Sequence, residues 1–124
     1  MQQILFIAAG GAIGAVMRYV VSNGVHILAG RAFPYGTLTV NVVGSLLMGI
    51  LYILFVERLS LAAEWRAVLL IGFLGAFTTF STFSMETYNL IENGEMLKAF
   101  LNILVSVTVC LLATWIGVVI GREV

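Results

Sequence analysis

The sequence predicts an all-α integral membrane protein with four transmembrane helices. Three observations predict this fold class: 61% of the 124 residues are hydrophobic, the mean hydropathy is +1.11, and only 10% of the residues are charged. Soluble domains carry roughly 25% charged residues, and a globule of this size has too little interior to cover so much hydrocarbon. The formal net charge is zero, so the chain has no basic excess with which to bind nucleic acid.

Four long apolar segments account for most of the chain. They cover residues 4–25, 33–56, 68–91 and 100–120. Each is about 20 residues long or slightly longer, which is the length that a helix needs to cross roughly 30 Å of hydrocarbon. Because the loops between them are short, we expect a single four-helix membrane domain over residues 1–124. We expect the protein to be a multi-pass protein of a bacterial inner (plasma) membrane.

The positive residues are nearly balanced between the two sides of the membrane. Arg31 and Lys98 fall on one side, three arginines fall on the side of both termini, and Arg18 lies within the first span. Orientation follows the difference in Lys/Arg between the two sides, so this count leaves two outcomes open. One is a single topology set by a one-charge bias. The other is insertion both ways, with opposed copies pairing as an antiparallel homodimer. The three arginines on the same side of the membrane as both termini are Arg58, Arg66 and Arg122.

The first span combines small residues with a charge. Gly10 and Gly14 form a pair that permits close approach of another helix, and Arg18 follows four residues later on nearly the same face. A charge at the bilayer centre costs about 2.5–3.5 kcal/mol on insertion scales. We therefore expect Arg18 either to face an aqueous vestibule, where it would attract anions, or to extend to the membrane surface.

Polar side chains recur every four residues in the second and fourth spans. A step of four advances about 400° around a helix, so such a stripe drifts only about 40° per step and lines one face that avoids lipid. Hydrogen bonds between helices, worth about 0.6–2 kcal/mol each, and a polar path both explain this pattern. Asn41 favours a path, because an amide has more hydrogen-bonding groups to satisfy than a hydroxyl. The stripes are Thr37, Asn41 and Ser45, and Asn102, Ser106, Cys110 and Thr114.

The third span is unusual at its middle. Residues 72–84 read GFLGAFTTFSTFS, with two glycines and five hydroxyl side chains. Glycine and threonine lower helix propensity, so we predict a helix broken near its middle. The freed carbonyls need partners inside the membrane, and they suit a hard cation. Phe80 and Phe83 share a helical face, and their positive ring edges can contact a small anion.

Three blocks of the sequence resemble the fluoride channel family called Fluc, also known as CrcB. They are residues 10–19 (GGAIGAVMRY), residues 34–44 (PYGTLTVNVVG) and the string at 72–84. With the number of spans and the length, the resemblance covers essentially the whole chain, and the third block is the most specific. The resemblance implies a dual-topology antiparallel homodimer. It also implies two antiparallel pores for the passive export of cytoplasmic fluoride.

The resemblance also assigns roles to individual residues. It implies that Phe80 and Phe83 contact fluoride through their ring edges and that Asn41 donates a hydrogen bond within the pathway. It implies a structural sodium ion at the dimer interface. The backbone carbonyls of Gly75 and Thr78 from both chains would bind this ion.

Further polar residues follow from the same resemblance. Arg18 matches the vestibule arginine, and the polar track of the fourth helix falls on Asn102, Ser106 and Cys110. At Cys110 a thiol, which is a weak donor, stands where a hydroxyl would serve better. Fluoride is strongly hydrated, so a pathway must replace its water by donors. The hydroxyls expected to add to Asn41 are those of Thr37, Ser81 and Thr82.

Two other functions stay possible. A small proton-coupled multidrug antiporter needs an acid within the membrane, and Glu86 is its candidate, although we expect an exposed position for it near the end of the third span. A non-transporting membrane assembly protein would use the polar stripes only to join helices. The dense Thr/Ser/Phe string argues against that function. An enzyme is not expected, because the sequence shows no nucleophile–base pair, and His26 stands alone near the end of the first span, where we expect an interfacial role.

Overall fold

The computed structural model describes residues 2–58 and 62–124, and within them the protein is helical. Four helical segments are long and apolar enough to cross a membrane. This confirms the all-α fold class and the number of candidate spans. The second helix begins at Tyr35 rather than at residue 33, because Pro34 takes the position before the first helical residue. The four segments are Gln2–Ala29, Tyr35–Arg58, Ala63–Glu92 and Met96–Glu123.

The third segment is divided, so the four spans contain five helices. Wider π-helical turns continue the second span over Ile53–Arg58 and occupy Ala67–Leu74 in the first part of the third. Two extended residues then separate the halves of the third span. The helices are α1 (Gln2–Ala29), α2 (Tyr35–Tyr52), α3 (residues 63–77), α4 (Phe80–Glu92) and α5 (Met96–Glu123).

A tight glycine turn joins α4 to α5. The Glu95 amide donates to the Leu90 carbonyl at 2.8 Å, and the Gly94 amide donates to the Ile91 carbonyl at 3.0 Å. These two bonds satisfy carbonyls at the end of α4. Gly94 has φ +79°, a conformation that glycine adopts without steric cost. The turn reverses the chain at once, so that α5 packs beside α4.

Small residues allow the helices to pair closely. Helix α1 packs against α3, and α2 packs against α5. A Cβ atom added at Gly14 would overlap the Phe73 carbonyl oxygen, and one added at Gly49 would overlap that of Thr114. Helices in lipid gain no hydrophobic driving force for association, so close backbone contact is a main source of their packing energy. The predicted role of Gly14 in helix approach is therefore confirmed.

The outside of the bundle is strongly apolar. Leu5 is 69% exposed, Leu111 67% and Ile71 60%. A water-soluble protein would not leave so many large apolar side chains uncovered, whereas lipid tails solvate them. Several polar side chains, in contrast, lie inside this bundle or bond to the break in the third span.

Candidate functional site

The candidate site is built around the break at Thr78 and Thr79. Thr78 has φ −86° and ψ 159°, and Thr79 has φ −152° and ψ 120°, so both are extended. Helix α4 then restarts with Thr79 as its N-cap, whose hydroxyl accepts from the Thr82 amide at 3.2 Å. Threonine favours this position because its oxygen satisfies one of the unpaired donors of a first helical turn.

Asn41 of α2 holds the break from one side. Its Oδ1 accepts from the Thr79 amide at 2.8 Å, and its Nδ2 donates to the Thr79 carbonyl at 3.0 Å. The side chain thus replaces both backbone bonds that the extended residue has lost. One N–H of the Asn41 amide is not used in this pair and can donate elsewhere.

Arg18 of α1 holds the break from a second side. Its Nε donates to the carbonyl of Ala76 at 3.0 Å. In a continuous helix this carbonyl would accept from the amide of Phe80, which the break has displaced. The sequence suggested a vestibule or the membrane surface for this guanidinium, and its contact with the break was not foreseen. Its vestibule role stays a prediction.

The hydrogen bonds at the break leave specific carbonyls without partners. The Leu74 carbonyl accepts from the Thr78 amide at 3.1 Å and from its hydroxyl at 3.0 Å. Among residues 2–58 and 62–124, no group donates to the carbonyls of Gly75, Phe77 or Thr78. Two of these three belong to the residues predicted to bind sodium.

The two predicted phenyl rings lie directly after the break. The centroids of Phe80 and Phe83 are 5.3 Å apart, and their planes are tilted by 44°. Phe83 is only 9% exposed, whereas Phe80 is 76% exposed in the single chain. One ring is therefore packed inside the bundle, and the other projects from its surface at the level of the break.

An open-sided central cavity of about 390 Å³ lies between α2, the break, α4 and α5. Its lining includes most of the polar stripe residues, from both α2 and α5, together with the two rings. Ser45, Thr78, Thr79 and Thr114 add polar groups to its lining. Five of the predicted pathway residues line it: Asn41, Phe80, Phe83, Ser106 and Cys110.

The other four predicted pathway residues lie outside the lining of the central cavity. Thr37 is buried, Ser81 is exposed, and Thr82 bonds to the Thr79 hydroxyl at 3.1 Å. Asn102 is 2% exposed and donates to the hydroxyl of Thr87 at 2.8 Å.

Sequence reasoning did not single out Thr87, although it completes a buried polar chain. Its hydroxyl donates to the Phe83 carbonyl at 2.8 Å and accepts from Asn102. The Ser106 hydroxyl donates to Oδ1 of Asn102 at 3.3 Å. Thr87 lies four residues after Phe83, and that spacing was the available signal. This series of hydrogen-bonded side chains runs from the central cavity toward the end of the bundle at which α4 meets α5.

A second, more polar cavity of about 370 Å³ lies at that end. This end cavity is formed by α1, the loop after it, α4 and α5. Glu86 lines it, and its Oε1 is buried without a hydrogen-bond partner among the described residues. The expectation of an exposed end position for Glu86 is therefore wrong, because Glu86 points into the bundle. The other charged residues around the end cavity are Arg31, Glu95 and Lys98.

The chain matches known proteins along nearly its whole length. Residues 5–118 match the family described as CrcB-like protein, Camphor Resistance (CrcB). The chain belongs to the CrcB family. It is 55% identical to the fluoride-specific ion channel FluC of Magnetococcus marinus, over 97% of this chain and 98% of that relative. It is also 55% identical to the channel of the same name from Coxiella burnetii, over the same shares of both chains.

A longer CrcB relative is also similar. The fluoride-specific ion channel FluC of Methylococcus capsulatus is 57% identical over 94% of this chain, and this chain spans only 51% of that relative. The two relatives at 55% identity are covered at 98% of their own length, so the match to this chain accounts for nearly all of each of them.

Proposed function

We propose that this CrcB-family chain forms a fluoride-selective channel through which cytoplasmic fluoride leaves passively. The observation that carries the proposal is the central cavity, where two phenyl rings lie beside hydroxyl and amide donors at the middle of the spans. Relatives at 55% identity are named fluoride-specific ion channels rather than enzymes. The proposed activity is therefore transport, without a chemical reaction.

The composition of the central cavity fits a small, strongly hydrated anion. Asn41 and Ser106 supply donors that can replace water, while the edges of Phe80 and Phe83 offer weaker positive contacts. Conduction needs sites that bind strongly enough to admit the ion and weakly enough to release it. Within the described residues, no carboxylate lines this cavity to repel an anion.

The polar side chains of α5 continue the pathway toward the end cavity. Lys98, Asn102 and Ser106 are four residues apart and follow one face of the helix. Lys98 lines the end cavity and Ser106 lines the central cavity, with Asn102 between them. We infer that fluoride passes along this face, and that the end cavity is the mouth of the pathway.

The proposed channel is an antiparallel homodimer with two pores. In the single chain, Phe80 is 76% exposed and Gly75 is also exposed. A break with unpaired carbonyls cannot face lipid without a large desolvation penalty. A second copy placed over this face would remove the break from lipid and cover the open side of the central cavity. The nearly equal numbers of positive residues at the two ends support an antiparallel arrangement.

The same pairing would create the proposed sodium site. The carbonyls of Gly75 and Thr78 lack partners among the described residues, and a twofold axis would bring the two pairs together. Unwound backbone carbonyls coordinate sodium in other membrane proteins. We expect the melting temperature of the dimer to fall when sodium is replaced by N-methylglucamine. An unchanged melting temperature would contradict a structural sodium ion.

We also propose a bacterial inner membrane as the location. Long apolar helices insert there, whereas proteins of the outer membrane are β-barrels. The four helical segments suit multi-pass insertion in such a bilayer.

The decisive experiment measures ion efflux from liposomes that contain the purified protein. Vesicles are loaded with fluoride or with chloride, and ion-selective electrodes follow each ion after dilution. Rapid fluoride loss without chloride loss is expected. Equal loss of both ions would contradict fluoride selectivity, and loss of neither would reject transport of these ions.

One observation favours the multidrug antiporter as a second candidate. The half-buried carboxylate of Glu86 has an oxygen without a hydrogen-bond partner among the described residues, and a proton relay needs an acid within the membrane. The same liposomes distinguish the two functions, because an antiporter would couple proton flux to a cationic drug and would not release fluoride. An assembly protein would give neither signal.

A further inference from the structure

His26 links α1 to the beginning of α2. It lies near the end of α1, is only 8% exposed, and its Nε2 accepts from the Gly36 amide at 3.0 Å. Pro34, at the N-cap of α2, makes no side-chain capping bond, so the first amides of this helix need other acceptors. His26 therefore caps α2 from the neighbouring helix. This is a more specific position than the interfacial one expected from the sequence.

The capping bond fixes the protonation of the ring. In a neutral imidazole one nitrogen accepts and the other carries the proton, so a ring that accepts at Nε2 has its proton at Nδ1. Nη1 of Arg31 lies 3.5 Å from Nδ1, where two donors face each other. We assign the tautomer from the bond to Gly36, which is shorter and buried.

A second proton on the ring would disrupt this arrangement. It would turn Nε2 from an acceptor into a donor facing the Gly36 amide, and it would add a positive charge beside Arg31. The other charged groups around the end cavity are Glu86 from α4 and Glu95 and Lys98 at the start of α5. Glu95 pairs with Lys98 at 3.2 Å, so Glu86 is the carboxylate left to offset an imidazolium.

The start of α2 has little room to adjust. A Cβ atom added at Gly36 would lie within 2.8 Å of both the His26 ring and the Ser22 hydroxyl oxygen. Thr37 is the next residue, and Asn41 follows one turn later on the same face. A movement of this first turn would therefore be transmitted to the residue that holds the break.

We propose that His26 is a positioning residue for conduction. The ring, with its proton on Nδ1, accepts from the Gly36 amide and so holds the first turn of α2, and thereby Asn41, in the conducting arrangement. The effect on conduction rests on the proposed channel function. The tautomer and its bond to Gly36 do not depend on that function, and they can be tested separately.

The first measurement is nuclear magnetic resonance of the labelled ring. The chain has a single histidine, so ¹⁵N-histidine gives the signals of His26 alone in nanodiscs that contain the full chain. At about pH 8 we expect the signature of a proton on Nδ1 and a bare Nε2. A ring with its proton on Nε2 would overturn the proposal.

The second measurement is fluoride efflux from liposomes that contain the wild type, His26→Leu or His26→Gln. His26→Leu has no acceptor for the Gly36 amide, so its efflux should fall roughly fivefold, as expected from the loss of one hydrogen bond worth about 1 kcal/mol. In His26→Gln the amide oxygen can still accept from Gly36, so its efflux should stay near that of the wild type. Protein-free vesicles correct for leakage of hydrogen fluoride.

The outcomes separate the two proposals. Equal efflux from the wild type and His26→Leu would overturn the role of His26. If His26→Leu does not fold, loss of efflux in folded His26→Gln would still overturn the proposal, because that variant keeps the acceptor. If neither the wild type nor any variant releases fluoride, the channel function fails, while the resonance measurement still tests the tautomer.

Discussion

Asn41 combines a structural role with the proposed contact to the transported ion. Both ends of its amide bind the backbone of Thr79, and one N–H remains for a ligand in the central cavity. A single side chain can therefore hold the break and offer a donor beside it. The two roles have different readouts, because loss of the bonds to Thr79 lowers the melting temperature, whereas loss of the donor to the ion alone lowers transport without changing stability.

Replacement of Asn41 by leucine tests the structural role. Asn41→Leu keeps a similar volume but leaves the amide and carbonyl of Thr79 without partners, and each buried unsatisfied group costs about 1–3 kcal/mol. We expect a lower melting temperature, measured in detergent by tryptophan fluorescence. Thr39→Val is the matched control, because the Thr39 hydroxyl donates to the Tyr35 carbonyl of its own helix and to no other element of the described chain. Equal melting temperatures for the two variants would contradict the role of Asn41.

The two phenyl rings give a prediction about transport. Phe80→Ile or Phe83→Ile keeps an apolar side chain but removes the ring edge. We expect fluoride efflux to fall roughly tenfold, since the loss of an aromatic contact worth about 1.4 kcal/mol raises the barrier to conduction by that amount. Phe100→Ile, at a 59% exposed position outside both cavities, should transport like the wild type. Unchanged efflux in both ring variants, with dimers intact by size-exclusion chromatography, would remove the rings from the mechanism.

The sequence predicted well which residues lie close together, but it did not predict the hydrogen bonds that they form. The period of four placed Asn41, Ser106 and Cys110 on inward faces, and the structure brings them to one cavity. The partners of Arg18 and Asn41 could not be foreseen, because they depend on which carbonyls the break leaves free. The inward direction of Glu86 was missed, since position along a span does not determine its rotation.

At the scale of elements, composition predicted the broken third span but not its details. Threonines and glycines in residues 72–84 indicated weak helix formation. The break falls at Thr78 and Thr79 because Asn41 and Arg18 supply partners there. The π-helical turns at Ala67–Leu74 gave no signal, because such turns depend on packing between helices and have no residue preference that the sequence shows.

The contact between α1 and α3 supplies a prediction for the packing of these helices. In Gly14→Leu the new side chain would overlap the Phe73 carbonyl, and overpacking of this kind costs about 1–3 kcal/mol. We expect aggregation or a lower melting temperature, together with loss of efflux. Gly24→Leu on the same helix is the control, because a Cβ there meets no atom within 4 Å. Similar behaviour of the two variants would argue against tight packing at Gly14.

For the whole molecule, the balance of charge predicts insertion in both orientations. Two reporters can be fused after Val124, one active only in the cytoplasm and the other active only on the opposite side of the membrane. Both should give a signal. Signal from one side alone would contradict dual insertion. Three lysines added at the same end are the control, because they should shift the population toward one orientation by the positive-inside rule.

The order of residues along the chain has a consequence for how this membrane protein is made. Arg18 and Asn41, which hold the break, both precede it in the sequence. During translation the first and second spans leave the ribosome before residues 78 and 79 are synthesised. The nascent third segment therefore enters a bilayer that already contains its hydrogen-bonding partners. The polar groups of its interrupted backbone then need not stay exposed to lipid until a later helix is made.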